Sequence, residues 1–245
     1  MPWTIGRRHG GHRFAEIAGR AGGAASTLGR MTTLSLPEQF VLLLYKDNGS
    51  YRATADHTGA AELGELVLRE RVEFEGKKLR LLDVSSTGTP WIDEATEWLT
   101  AKSGPKNKPV DAPRFIQSRR AARKAHVAAL VGRGVFREEK RTFLGFIPGD
   151  KHYPDGGTQQ RLLDELHQVA RQERELDDRM ALLAALVHAT GLSGSLGFDR
   201  AERKRLKEIS KGENLGEAVQ AVIASTTAVF VAVAAASAAG GAASS

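Results

Sequence analysis

The sequence predicts a mainly α-helical single domain: a central hydrophobic helix bundle, surrounding amphipathic helices and short β-hairpins. Three observations carry that expectation. Apolar residues recur at helical spacing through most of the 245-residue chain. The stretch around Met180, Leu182, Leu183, Leu186 and Val187 is apolar almost all round, the pattern of a central helix contacted on several sides. Two short runs, near residues 72–81 and 135–146, alternate around a turn in the manner of hairpins. Apolar residues make up 41% of the chain, enough for a substantial core, and the absence of cysteine excludes a disulfide framework, thiolate metal ligands and a cysteine nucleophile.

Residues 1–30 hold seven glycines, five arginines and one glutamate without a sustained apolar period, and read as a flexible basic tail. No run of 7–15 apolar residues marks a secretory signal. The domain is expected over residues 31–236. Its first helix opens at Ser35-Leu36-Pro37-Glu38, where Ser35 can cap, Pro37 suits the first turn and Glu38 completes a capping box. Asp47-Asn48-Gly49 ends it. A second helix runs from Gly59 to Glu70, followed by a hairpin over residues 72–81 that turns at Gly76. Residues 91–99 form a helix with Trp91 and Trp98 seven apart, and residues 101–113, with three prolines, read as a loop. A helix ends in residues 127–133; Val135 and Phe136 then begin an extended piece that turns at Glu138-Glu139-Lys140 and returns through residues 142–146.

Beyond a loop through residues 152–157, Thr158 is expected to cap a helix carrying Leu162, Leu163, Leu166 and Val169. Asp177 opens the central helix, and a short basic helix spans Asp199 to Ser210. From Ala218 to Ser245 there is no charged residue. A helix over residues 218–239 would be about 33 Å long, enough to cross a bilayer. Ten of those 22 residues are alanine and none is leucine, which favours a buried terminal helix over a membrane span. Residues 237–245 read as a flexible end.

Lysine and arginine exceed aspartate and glutamate by 35 to 29, a formal charge of +6 that favours acidic partners. Nine of the basic residues lie between Arg114 and Arg141, against two glutamates. On a continuous helix Arg120, Arg123 and Lys124 would share one face at i, i+3 and i+4, where their mutual repulsion is relieved by an anion. Arginine offers phosphate a planar fork of donors. A solvated helix face accounts for the same spacing equally well. Catalytic signals are weak. His57 adjoins Asp56, His152 lies near Asp150 and Asp155, and His188 sits in the apolar helix, with no His-x-x-x-His pair and no nucleophile–base set. No enzymatic activity, metal site or cofactor is expected.

The order and spacing of several blocks resemble the Golgi phosphoprotein 3 (GPP34) family, in a bacterial, actinobacterial-looking branch. The blocks are residues 34–40, 65–73, 88–95 and 131–135, then residues 178–189 at the central helix. The resemblance spans about Leu34 to Ala235. It implies a helical domain with an exposed β-hairpin, and a peripheral protein that binds phosphatidylinositol 4-phosphate and acts as an adaptor for membrane-protein clients. The two arginines of the family's lipid-pocket helix match Arg120 and Arg123. Its pocket tryptophan and its arginine before the second helix have no match between Ser50 and Gly59. The expected head-group site is therefore Arg120 and Arg123, with Arg119, Lys124 and Arg52 adding charge. Homo-oligomerisation is expected through the hairpin, at Phe136, Phe143, Leu144 and Phe146. The implied location is the cytoplasmic face of a membrane, with an anionic phospholipid or phosphoinositide as partner.

Two other classes compete with this reading. One is a protein-interaction module without specific lipid binding. The other is a winged-helix-like nucleic-acid binder, for which the acidic helix carrying Glu62, Glu65 and Glu70 is a poor match. Neither basic group contains interleaved aromatic residues for base stacking, and no nucleic-acid partner is expected.

Overall fold

The capping box expected at Ser35 is in place. In a computed structural model that describes residues 34–52, 57–143, 147–212, 215 and 219–224, the Ser35 N–H donates to the Glu38 carboxylate at 2.8 Å and opens α1 (Leu36–Leu43). Every residue of α1 is buried. Its C-terminal carbonyls are satisfied by a side chain from elsewhere in the chain: Gln159 Nε2 donates to the Leu42 and Tyr45 oxygens at 2.6 and 2.8 Å. The chain then turns through residues 46–50, with Gly49 at φ +74° packed against Tyr153, so that Tyr45 and Tyr51 face each other across an antiparallel bridge.

Helix α2 (Thr58–Leu68) lies against α1 and is buried from Thr58 to Val67. Strands β1 (Val72–Glu75) and β2 (Lys78–Leu81) form the first expected hairpin, with Phe74 opposite Leu79. The loop expected over residues 101–113 is shorter than its prolines suggest. After α3 (Pro90–Ser103), β3 (Val110–Asp111) pairs with β2 as a third strand, and Pro113 falls in the first turn of α4 (Ala112–Ser118). Helix α5 (Ala122–Gly132) follows after a turn.

The second hairpin has a different register from the one the sequence suggests. Strand β4 (Phe136–Glu139) pairs with β7 (Lys151–Pro154), not with residues 142–146. Its cross-strand contacts decide this: Arg137 stacks on Tyr153 at 4.3 Å and Glu138 lies 3.3 Å from His152. Between these strands β5 (Thr142–Phe143) pairs with β6 (Ile147–Pro148). Because Pro154 ends β7, the following glycines enter a helix rather than a loop. Asp155, not Thr158, caps α6 (Gly156–Ala170), and its carboxylate accepts the Thr158 N–H.

The central helix is α7 (Asp178–Ala189), capped by Asp177 as expected and buried from Met180 to Val187. Helix α8 (Arg200–Ile209) carries a second capping box, formed by Asp199 and Glu202. Residues 219–224 are helical and bury Val219, Val222 and Ile223. Val222 and Ile223 line one small cavity with Gly64 of α2 and Leu182 of α7. Residues 1–33 and 225–245, where the two expected tails and Phe230 fall, lie outside the described residues. No described helix is long and apolar enough to cross a membrane.

Four buried glutamates tie these helices together. Glu38 of α1 accepts Arg133 beyond α5 at 2.7 Å. Glu202 of α8 accepts His167 and Arg171 of α6 at 2.9 and 2.8 Å. Glu65 of α2 accepts the Leu36 N–H at 2.7 Å, Arg69 at 2.7 Å and both Arg179 Nη atoms at 2.6 and 3.2 Å. Glu62, one turn earlier, accepts Arg119 Nε at 2.6 Å and lies 2.9 Å from His126 Nε2. Burial alone would push the Glu65 carboxyl up, but the bonds from Arg179, Leu36 and Arg69 outweigh it and hold the carboxyl below its ordinary value. Glu202 behaves alike: burial raises its carboxyl, but the Asp199 N–H, His167 and Arg171 outweigh that and hold it below its ordinary value.

Candidate anion-binding site

The expected head-group residues do not lie on one helix. Arg119, Arg120 and Ala121 form a turn between α4 and α5, closed by the Ala122 N–H donating to the Arg119 oxygen at 3.0 Å. A buried acid on a neighbouring helix accounts for the break. Glu62 accepts the Arg119 guanidinium at two atoms, which draws the turn against α2, and Glu94 lies 3.5 Å from the same group. The approach is so close that a Cβ on Gly59 would stand 2.8 Å from both Arg119 Cβ and the Ile116 oxygen. Only glycine fits there. Arg119 is thus a structural residue whose charge is met internally. Burial lowers its guanidinium, but Glu62 and Glu94 outweigh that and raise it above its ordinary value.

With Arg119 turned inward, Arg120 is exposed at the tip of the turn, and Lys124 is exposed on the first turn of α5. Arg123 is half-buried, and two aromatic residues set its direction. Its Nη1 donates to the Tyr45 hydroxyl at 2.8 Å, and its guanidinium lies over the Tyr51 ring at 4.4 Å. Arg52 reaches the same tyrosine from the other end, donating from Nε to the Tyr45 oxygen at 3.2 Å. Its Nη1 donates to the Ser195 oxygen at 2.9 Å. Burial pulls the Arg52 guanidinium below its ordinary value and the Asp47 charge opposes that. Two guanidinium groups distant in sequence therefore bind Tyr45 at opposite ends, Arg123 at the phenolic hydroxyl and Arg52 at the backbone carbonyl.

Tyr45 and Tyr51 are site residues that the charge pattern did not single out. Their signal was the Asp47-Asn48-Gly49 turn, which sets aromatic residues on either side of it opposite each other. Tyr45 is itself held rigidly, with ring contacts to Tyr51, Phe136 and His152 at 5.6, 5.1 and 5.9 Å.

That packing also changes the expected role of Phe136. It is 2% exposed, covered by Tyr45 and His152, and offers no surface to a second subunit. It packs instead against Tyr45, the residue whose hydroxyl accepts Arg123. Phe143 is placed by its backbone in β5, while Leu144 and Phe146 lie outside the described residues.

Among the described residues no group of three or more His, Cys, Asp or Glu could hold a metal ion. The profile of the family described as Golgi phosphoprotein 3 (GPP34) matches residues 36–226, from the first residue of α1 past the helical stretch at 219–224. The chain belongs to the GPP34 family. No curated protein matches it. The matched span contains every arginine of the site, and GPP34 is a non-catalytic family. The mainly helical bundle with its short antiparallel hairpins is this GPP34 chain's whole described architecture.

Proposed function

We propose that this GPP34 chain is a peripheral membrane-surface protein that binds anionic, phosphoinositide-like head groups and serves as an adaptor at the cytoplasmic face of a membrane. The fixing of Arg123 by Tyr45 and Tyr51, with Arg52 bound to the Tyr45 backbone and Arg120 and Lys124 exposed, carries the reading. A phosphate monoester offers several acceptor oxygens around one centre, and guanidinium groups arriving from different directions can each take a separate oxygen. Arg123 is oriented in advance by stacking and by a hydrogen bond, so less conformational freedom is lost when it closes on an anion. Arg120 and Lys124 add charge that draws the protein to an anionic surface.

The nucleic-acid alternative loses its recognition element. Helix α2, the candidate groove reader of the first helix–hairpin unit, is buried along nearly its whole length, and Glu62 and Glu65 are consumed inside the fold. The test is co-sedimentation of the full chain with phosphatidylcholine vesicles, with and without phosphatidylinositol 4-phosphate or phosphatidylserine. Binding is expected only with the anionic lipids and should weaken as salt is raised. Equal sedimentation with neutral vesicles would overturn the reading.

A further inference from the structure

Helix α8 carries a second cationic face that the arginine site does not use. Arg200, Arg203, Lys204 and Lys207 are exposed on it, and Lys211 continues the row beyond its end. The spacing i, i+3, i+4, i+7 and i+11 places them along one side, opposite buried Glu202, Leu206 and Ile209. The rotation of the helix is fixed from within, because Glu202 is clamped by His167 and Arg171 and Phe198 stacks on His167 at 4.2 Å. The acids of this segment are fewer than the cations of the row and serve mainly other contacts. Asp199 and Glu202 are spent on the cap and the clamp, and Glu208 faces Lys204 and Arg205 at 3.9 and 3.5 Å. Lys207 lies close enough to α7 that its charge, after burial, helps hold His188 below its ordinary value.

One loop joins this face to the arginine site. The Ser195 oxygen accepts Arg52, and a Cβ on the adjacent Gly194 would stand 4.0 Å from Arg203 Nη1. The loop is Gly191-Leu192-Ser193-Gly194-Ser195-Leu196-Gly197, with Leu192 and Leu196 buried and only small residues outward. It is held by bonds from Leu196 N to the Leu192 oxygen and from Phe198 N to the Ser193 oxygen, at 3.0 and 3.1 Å. No large side chain on it keeps an extended surface from meeting the cations on both sides.

We infer that the exposed face of α8 is a second contact for the anionic bilayer, continuous with the Arg52–Arg123 site across the Gly194–Ser195 loop. The inference rests on the membrane-surface reading. A single head group cannot reach a row of cations spread over three turns of helix, whereas a leaflet presents many phosphates at once. Like charges at these spacings repel each other, and a dense array of anions relieves that repulsion. The face has no aromatic residue on which bases could stack, which favours a lipid surface over a nucleic acid.

The experiment compares the wild-type chain, an Arg200→Gln/Arg203→Gln/Lys207→Gln variant and an Arg120→Ala/Arg123→Ala variant. Each is titrated with vesicles of phosphatidylserine in phosphatidylcholine at several salt concentrations. The substituted α8 side chains are exposed, so the α8 variant should melt as wild type. The α8 variant is expected to bind about tenfold or more weakly, with a shallower dependence on salt. If it binds as wild type while the Arg120/Arg123 variant is impaired, the α8 inference is overturned and the head-group site stands. If both variants bind as wild type, neither cationic group is the contact and the inference is overturned; if the wild type does not bind, the membrane reading falls with it. Binding of duplex DNA at the same salt that is lost only in the α8 variant would assign the face to nucleic acid and overturn the inference.

Discussion

Replacing Glu65 with Ala is expected to cost about 3 kcal/mol of stability, read as a fall in the urea midpoint. The low end of the range for a broken buried ion pair applies, because Arg179 and Arg69 are part-exposed and can turn to water. The Leu36 N–H cannot. It opens α1 inside the bundle, and without Glu65 it is left buried with no acceptor. Arg69→Ala is the control and should cost less than 1 kcal/mol, since it removes an exposed i, i+4 partner. The carboxylate also predicts a pH dependence. The folded carboxyl lies below its ordinary value, so it adds stability above the unfolded pKa of about 4.3 and loses it as pH falls through that value toward the folded one. The wild-type midpoint should fall below about pH 5, and Glu65→Gln should make that fall shallower. A loss under 1 kcal/mol in Glu65→Ala, with an unchanged acid limb, would mean that the buried carboxylate does not tie α1 to α7.

The second large effect concerns geometry at Arg123. Arg123→Lys keeps the charge but removes the planar group that both lies over Tyr51 and donates to the Tyr45 hydroxyl. The variant is expected to lose about tenfold in affinity for vesicles containing a phosphorylated inositol head group. Lys124→Arg, on an exposed position, should change affinity little. Equal affinities for wild type and Arg123→Lys would identify a diffuse electrostatic surface rather than a shaped site, and binding would then depend on charge alone.

Much of the fold was legible because its signals are local. The Ser35–Glu38 box, the Gly76 turn, the Asp177 cap and the apolar circumference of α7 all reveal themselves within a few residues. The misread positions were decided at long range. Nothing near Arg119 in sequence breaks a helix; a carboxylate 57 positions earlier does. Nothing in residues 136–146 disqualifies a tight hairpin, but Tyr153 and His152 offer β4 a better partner further along the chain. The site shows the same division. Arg120, Arg123 and Lys124 were visible as a charge cluster, yet spacing cannot separate an arginine that serves the core from one that faces solvent. Buried glutamates make that separation, and they look like surface residues in sequence. Glu62 and Glu65 read as an acidic helix face and are in fact the acceptors that hold Arg119 and Arg179 in place.

Arg120 and Arg123 are proposed to act together at a membrane surface. The most direct measurement is the affinity of the Arg120→Ala/Arg123→Ala variant for vesicles containing phosphatidylinositol 4-phosphate, taken beside its melting curve. Arg120 is exposed and Arg123 half-buried, while Arg119, which secures the turn, is untouched. The expected result is a cooperative melting curve, lowered by no more than the lost Arg123–Tyr45 and Arg123–Tyr51 contacts, and a loss of vesicle affinity of tenfold or more. A variant that melts as wild type and still binds those vesicles with wild-type affinity would contradict it.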